Sequence, residues 1–310
     1  MRKAFADTLV SLAEKDSRVA LITGDLGFQA FDEFARKFGK RYINVGVAEA
    51  QMVYLAAGMA LEGYRPIAYS IASFATARPF EQLRFCVGYH KLPVILVGAG
   101  RGYLYSNSGV SHHAGDDLGL LSLIPNMTVV APGDPVEIKA LLPQLLQLDG
   151  PAYCTVGRYG EPVFAAEEAP MLGRGRRIRS GEHTVILSVG EIANEVVHAL
   201  DELKSEGIYP AAYQFHTVKP LDIERLNLFS REFKNIIVVE EHVPNGGLWA
   251  AVVQHYASAS DRPIVRRLGI PDRFMLGNLK QAELRRRNGL DAPTIAKACR
   301  EAVGRPKKCI

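Results

Sequence analysis

The sequence predicts an α/β protein of two doubly wound domains, each built on a mostly parallel sheet. Three observations carry that reading. Short β-branched runs alternate with helix-period stretches, the 310 residues exceed the usual size of one domain, and the 48% hydrophobic content suffices for two cores. That alternation argues for a mostly parallel sheet covered on both faces.

The first domain, expected over 1–165, takes its strands from "VALIT" (19–23), "YRPIAYSIA" (64–72), "PVILVGA" (93–99), "MTVVAP" (127–132) and "AYCTV" (152–156). Helical periods run through 48–62, 77–90 and 134–148. Residues 166–183, "AEEAPMLGRGRRIRSGEH", are rich in Gly, Glu and Arg and show no hydrophobic period, which predicts a connection. The second domain, expected over 184–310, has strands "TVILSVG" (184–190), "YPAAYQF" (209–215), "NIIVVEEH" (235–242) and "PIVRRLGI" (263–270). Helices fit at 191–206, 222–231, 246–258 and 291–303, the last opening on an N-cap-like Asp291.

Net charge is only +4, with no basic blocks interleaved with aromatics, so a nucleic-acid partner is not expected. The runs "RRR" (285–287) and "KK" (307–308) read as solvated faces. The start "MRKAFADTLVSLAEKDSR" carries charges in its first apolar turns, and no run reaches about 18 apolar residues, so neither a signal peptide nor a membrane partner is expected and a cytoplasmic protein is. Cys86, Cys154, Cys299 and Cys309 form no C-x-x-C or zinc spacing and read as reduced and structural.

The stretch "YINVGVAEAQMVYLAAGMALEG" (42–63) turns through Gly46 into a small-residue helix whose one early acid is Glu49. A first-turn acid complements the helix dipole. The carboxyl edge of a parallel sheet is equally where ligands bind. Local sequence leaves both open.

"GVAEAQ" resembles the GxAEQ or GxREH element of the thiamine diphosphate enzymes: transketolase, deoxyxylulose phosphate synthase and the β subunits of 2-oxo acid dehydrogenases. Further elements follow in order. "TGDL" (23–26) is similar to the cofactor-facing start of the pyrimidine-binding domain, and "ASFATARPFEQLR" (72–84) to its F-x-x-x-R-x-Y/F-D/E-Q helix. "GVSHHAGDDLGLLSLIPNMTVVAPGD" (109–134) resembles the G-P-T-H-Q…D-L…I-P-N-M…P-x-D block of transketolases, "VGR" (156–158) the S-R ending that domain, and "NGGLWAAV" (245–252) a helix start of the C-terminal domain.

The resemblance implies roles residue by residue. Glu49 would hold N1′ of the cofactor's aminopyrimidine through a short hydrogen bond and favour the imino tautomer whose nitrogen takes the thiazolium C2 proton, a donor role that burial beside an apolar ring suits. Phe74 would stack on the pyrimidine, with Arg78 and Phe80 flanking that wall and Asp25 and Leu26 lining the cofactor edge. An isolated Phe is otherwise a core residue, and Gly-Asp after a strand an ordinary turn. His112 would contact the donor's reacting hydroxyl and carbonyl oxygens. From residue types alone, His112, His113, Asp116 and Asp117 are also a metal cluster candidate, although Asp116 or Asp117 fits better as a cap on a helix at 118–123. Arg158 would meet substrate phosphate, or else an interdomain acid.

The family anchors the cofactor diphosphate through Mg²⁺ on a G-D-G…N motif in an amino-terminal domain, and "GDL", "GDD" and "GDP" do not supply it. The resemblance therefore covers the back half of a transketolase. It implies a split enzyme whose amino-terminal-half partner supplies the Mg²⁺ ligands, with α2β2 the expected assembly. Ser108 stands where transketolases carry the Asp that recognises the acceptor's C2 hydroxyl, and Gly100 where they carry a phosphate-contacting His. The implied function is two-carbon ketol transfer from a ketose, with an unusual acceptor. The alternatives are an oxo acid dehydrogenase β chain that passes acyl groups to a lipoyl carrier, and a noncatalytic assembly protein.

Overall fold

The computed structural model describes residues 1–304 apart from Tyr159 and Asp261; Cys309 and the 307–308 pair lie outside the described residues. The chain opens with helix α1 (Arg2–Lys15), strand β1 (Val19–Thr23), α2 (Asp32–Phe38) and a short β2 (Tyr42–Asn44). Then come α3 (Glu49–Leu61), β3 (Arg65–Ile71), α4 (Ala72–Ala77) and a single turn α5 (Phe80–Gln82) that runs into a π-helical segment, Leu83–Tyr89. β4 (Ile95–Ala99), α6 (Asp117–Ser122), β5 (Thr128–Val130), α7 (Pro135–Leu145) and β6 (Ala152–Val156) complete this half.

The second half comprises β7 (Arg176–Arg179), β8 (Thr184–Val189), α8 (Ala193–Lys204), β9 (Ala211–Gln214), β10 (Thr217–Lys219), α9 (Ile223–Glu232), β11 (Asn235–Glu240), α10 (Leu248–Tyr256), β12 (Ile264–Gly269), α11 (Gln281–Arg287) and α12 (Ala292–Val303).

Two sheets result, ordered β10-β5-β6-β4-β3-β1-β2 and β12-β11-β8-β9-β7. All pairings between these strands are parallel except β10 on β5 and β7 on β9. β10 belongs by sequence to the second half yet completes the first sheet. One buried cluster accordingly joins Met52, Leu83 and Leu121 of the first half to Val185, Leu187 and Val238 of the second. The two halves share a core, so the carboxyl edges of the first sheet are held against the second half.

Three expectations need correction. The helical period at 77–90 is broken: α4 ends before Pro79, which lacks the N–H a continuing helix would need, and the chain resumes as α5 and the π-helical turn. The stretch 166–183, expected as a connection, contains β7. Its inward residues are Arg176 and Ile178, both buried, and Arg176 pairs with the fully buried Glu137 at 3.1 Å. A buried arginine hid the period-two pattern. Of the "RRR" run, Arg286 and Arg287 are solvated, but Arg285 is buried and paired with Glu241 at 2.7 Å, because α11 turns that position toward the second sheet.

Candidate active site

Gly46 (φ 74) makes the turn from β2 to α3 in the left-handed region, open to glycine at no steric cost. Its N–H donates to Asn44 Oδ1 at 2.9 Å, and Asn44 is tied to Asp25 twice, through its Oδ1 and its amide nitrogen, both at 3.1 Å. The loops after β1 and β2 are thus fastened together, and the first residue they deliver to α3 is Glu49, 3% exposed.

Ser70, at the end of β3, donates to Glu49 Oε1 at 3.2 Å, and Arg78, just past α4, donates to Oε2 at 2.9 Å. The Arg78 guanidinium carbon lies 4.0 Å from the centre of the Phe74 ring. Phe74 also meets His112 edge-on, with ring centres 5.1 Å apart. Ser73 donates to the carbonyl of Ser111 at 3.0 Å, and the Ser111 hydroxyl sits 3.0 Å from His112 Nδ1, so α4 and the 110–112 turn are joined where the histidine projects.

Glu49, Phe74, Arg78 and His112 therefore stand in one chain of contacts. Tyr105 continues it: its ring lies 6.4 Å from that of His112, the Arg158 guanidinium carbon is 5.3 Å from its centre, and its hydroxyl accepts from Arg2. Ser108 is exposed in the adjoining turn. Asp25 shares the sheet edge through Asn44. Leu26 packs instead into the apolar cluster of α1 and α2, and Phe80 into the cluster under α3. Both lie outside the contact chain that starts at Glu49.

The residues weighed as a metal cluster diverge. Asp117 is fully buried, accepts from the Tyr153 hydroxyl at 2.9 Å and lies 3.7 Å from Arg101; burial pushes its pKa up. His113 packs edge-on to Tyr103, and burial holds its pKa below the usual histidine value. Among the described residues no three His, Cys, Asp or Glu side chains gather as a ligand set. Asp116 is the N-cap of α6, through its carbonyl rather than its side chain.

Asn44, Ser70, Ser111, Tyr105 and Arg2 were not foreseen as parts of this edge. The serines and Asn44 carried a usable signal, since each is a small polar residue at the end of a strand or beside a singled-out residue. Arg2 carried none, because only the fold brings α1 to residue 105.

The donor set suits the pyrimidine half of thiamine diphosphate. Arg78 shows the spacing: a flat, nitrogen-bearing cation rests on Phe74 while donating to Glu49, so the aromatic face and the carboxyl both reach one flat group, although toward N1′ of an aminopyrimidine the carboxyl would donate rather than accept.

Residues 1–158 match the family model for the transketolase pyrimidine-binding domain, and residues 173–295 that for the transketolase C-terminal domain. A Methanocaldococcus jannaschii protein provisionally named as a transketolase C-terminal section is 34% identical over 98% of this chain and 96% of its own length. One of the subunits of the apulose-4-phosphate transketolase of Phocaeicola vulgatus is 32% identical over 97% of both chains. A solved split-gene transketolase, described as an inactive β4 tetramer, superimposes with a TM-score of 0.88 at 30% identity, covering 97% of each chain. The chain spans about half the length of the 1-deoxy-D-xylulose-5-phosphate synthases it also resembles, 47% in that of Syntrophotalea carbinolica. Both domain matches, the full-length relatives and the two-sheet fold agree: this chain belongs to the transketolase family and carries its pyrimidine-binding and C-terminal domains.

Proposed function

We propose that the chain is the C-terminal-half subunit of a split, thiamine diphosphate-dependent transketolase that moves a two-carbon ketol unit from a ketose to an aldehyde. The observation that carries this is the contact chain of Glu49, Phe74 and His112: a buried acid, an aromatic face and an imidazole within one small edge. Glu49 would hold the pyrimidine nitrogen, Phe74 would fix the ring's plane, and His112 would exchange protons with the donor's oxygens. The cofactor, when bound, would supply the electron sink for carbon–carbon bond cleavage.

The diphosphate and Mg²⁺ fall to an amino-terminal-half partner, in keeping with relatives named as a section or as one subunit, and α2β2 is the assembly proposed. The test is co-purification with the protein encoded beside this one, followed by a screen of ketose donors and aldehyde acceptors. Ketol transfer by the pair supports the reading. Acylation of a lipoyl domain from a 2-oxo acid, with no ketol transfer, would replace it by the oxo acid dehydrogenase alternative.

A further inference from the structure

We infer that Tyr105 selects the acceptor, favouring an aldehyde with an anionic far end and no hydroxyl at C3. The inference rests on the ketol-transfer reading and adds a residue to it. Gly100 has φ +78, and a Cβ built on it would fall 2.1 Å from Tyr105 Cε2. The tyrosine ring therefore lies against the Gly100 backbone and claims the space a side chain there would need.

The same ring adjoins both groups that an acceptor would have to meet. His112 lies on one flank at 6.4 Å between ring centres, and the guanidinium carbon of Arg158 is 5.3 Å from the ring centre. Arg158 is exposed and has no acidic partner among the described residues. The Tyr105 hydroxyl accepts from Arg2, which places a second cation at the hydroxyl end of the ring. An aldehyde with its carbonyl at His112 and its anion at Arg158 must run its middle carbons along this aromatic surface.

A ring face offers a secondary hydroxyl neither a good donor nor a good acceptor, so a hydroxyl pressed there gives up water without replacement. A methylene at the same place gains by burial. An imidazole in the space that Tyr105 fills would impose the reverse preference.

The test compares kcat/KM of the assembled enzyme for erythrose 4-phosphate and its 3-deoxy analogue, so that general losses of activity cancel in the ratio. The wild type should favour the 3-deoxy aldehyde by about tenfold or more. Tyr105→Ala should bring the ratio within about threefold of unity, and Tyr105→Phe, which keeps the ring, should retain the preference. If Tyr105→Ala does not assemble, Tyr105→His takes its place, with the ratio expected to fall because a polar ring returns. A wild-type preference for erythrose 4-phosphate, or a ratio unmoved by the Ala or His variant, overturns the assignment alone. A wild-type pair that transfers no ketol unit to either aldehyde overturns both this assignment and the function on which it rests.

Discussion

Arg78 donates to Glu49 at 2.9 Å while its guanidinium covers the face of Phe74 at 4.0 Å, so one side chain occupies both groups that the pyrimidine of the proposed cofactor would use. The two cannot be there together. The Arg78 side chain is 46% exposed, and its route out is toward water. Arg78→Met should remove the need to displace a cation from Glu49, and thiamine diphosphate should bind the assembled enzyme several-fold more tightly. Calorimetry on the wild-type and variant pairs checks this; weaker binding by the variant would mean that Arg78 holds the cofactor rather than yielding to it.

Glu49→Ala should abolish turnover in the assembled enzyme, since loss of a proton-relay contact costs on the order of 10²-fold to 10⁴-fold. Assembly should survive, because the partner left behind, Arg78, can turn to solvent. Exchange of the cofactor C2 proton, followed by NMR after acid quench, should slow in parallel. Exchange at the wild-type rate would remove Glu49 from that role.

Without its partner the chain should neither hold Mg²⁺-thiamine diphosphate tightly nor turn over. It carries the pyrimidine-binding domain, but no G-D-G…N sequence is present to anchor the diphosphate. Calorimetry that finds micromolar, Mg²⁺-dependent binding to this chain by itself would contradict the split site.

Much of the fold was legible in the sequence because central parallel strands are buried throughout and mostly apolar: β1, β4, β6, β8 and β11 fall within or on the predicted runs. β7 escaped because its inward Arg176 is charged and stabilised by Glu137 and Asp134 across the core, a pairing that no local pattern records. β10 escaped because three residues, Thr217–Lys219, are too few to show a period, and they pair with a strand from the other half of the chain. At the site, Glu49, Phe74 and His112 were legible as motif residues. The seat of Arg78 on Phe74 was not, since a motif gives order along the chain and not which face a flexible side chain covers.

Stability should fall in acid through His216. This residue is fully buried, burial lowers its pKa from 6.5 to about 3, and Nε2 has no hydrogen-bond partner among the described residues. The folded state keeps the ring neutral while the unfolded chain protonates it below about 6.5. The contribution of His216 is therefore whole above that pH and is lost as pH falls toward 3, with a slope of up to roughly 1.4 kcal/mol per pH unit. Glu137 and Glu191 act in the opposite sense: burial raises both from 4.5 to about 7, so their contribution is whole below 4.5 and lost as pH rises through 7. Urea unfolding of His216→Gln between pH 3 and 4.5, below the range in which the two glutamates act, should show a flatter acid limb than the wild type. Parallel curves would assign the acid sensitivity elsewhere.

Recognition of the acceptor's C2 hydroxyl would fall to Ser108. Ser108 is exposed beside Tyr105, its N–H bonded to the Tyr105 carbonyl at 2.8 Å, and its side chain has no hydrogen bond among the described residues. A serine there can accept only weakly where a carboxylate would accept strongly, so discrimination for a 2-hydroxy aldehyde should be low. Ser108→Asp should raise kcat/KM for ribose 5-phosphate relative to its 2-deoxy analogue by about 1 to 3 kcal/mol of transition-state discrimination, if one hydrogen bond is regained at a desolvated site. The wild-type pair should handle ribose 5-phosphate and erythrose 4-phosphate poorly. If it processes them at an ordinary enzyme efficiency, about 10⁴ M⁻¹s⁻¹ or more, then the tyrosine-bearing loop has not moved specificity and the pair is a general split transketolase.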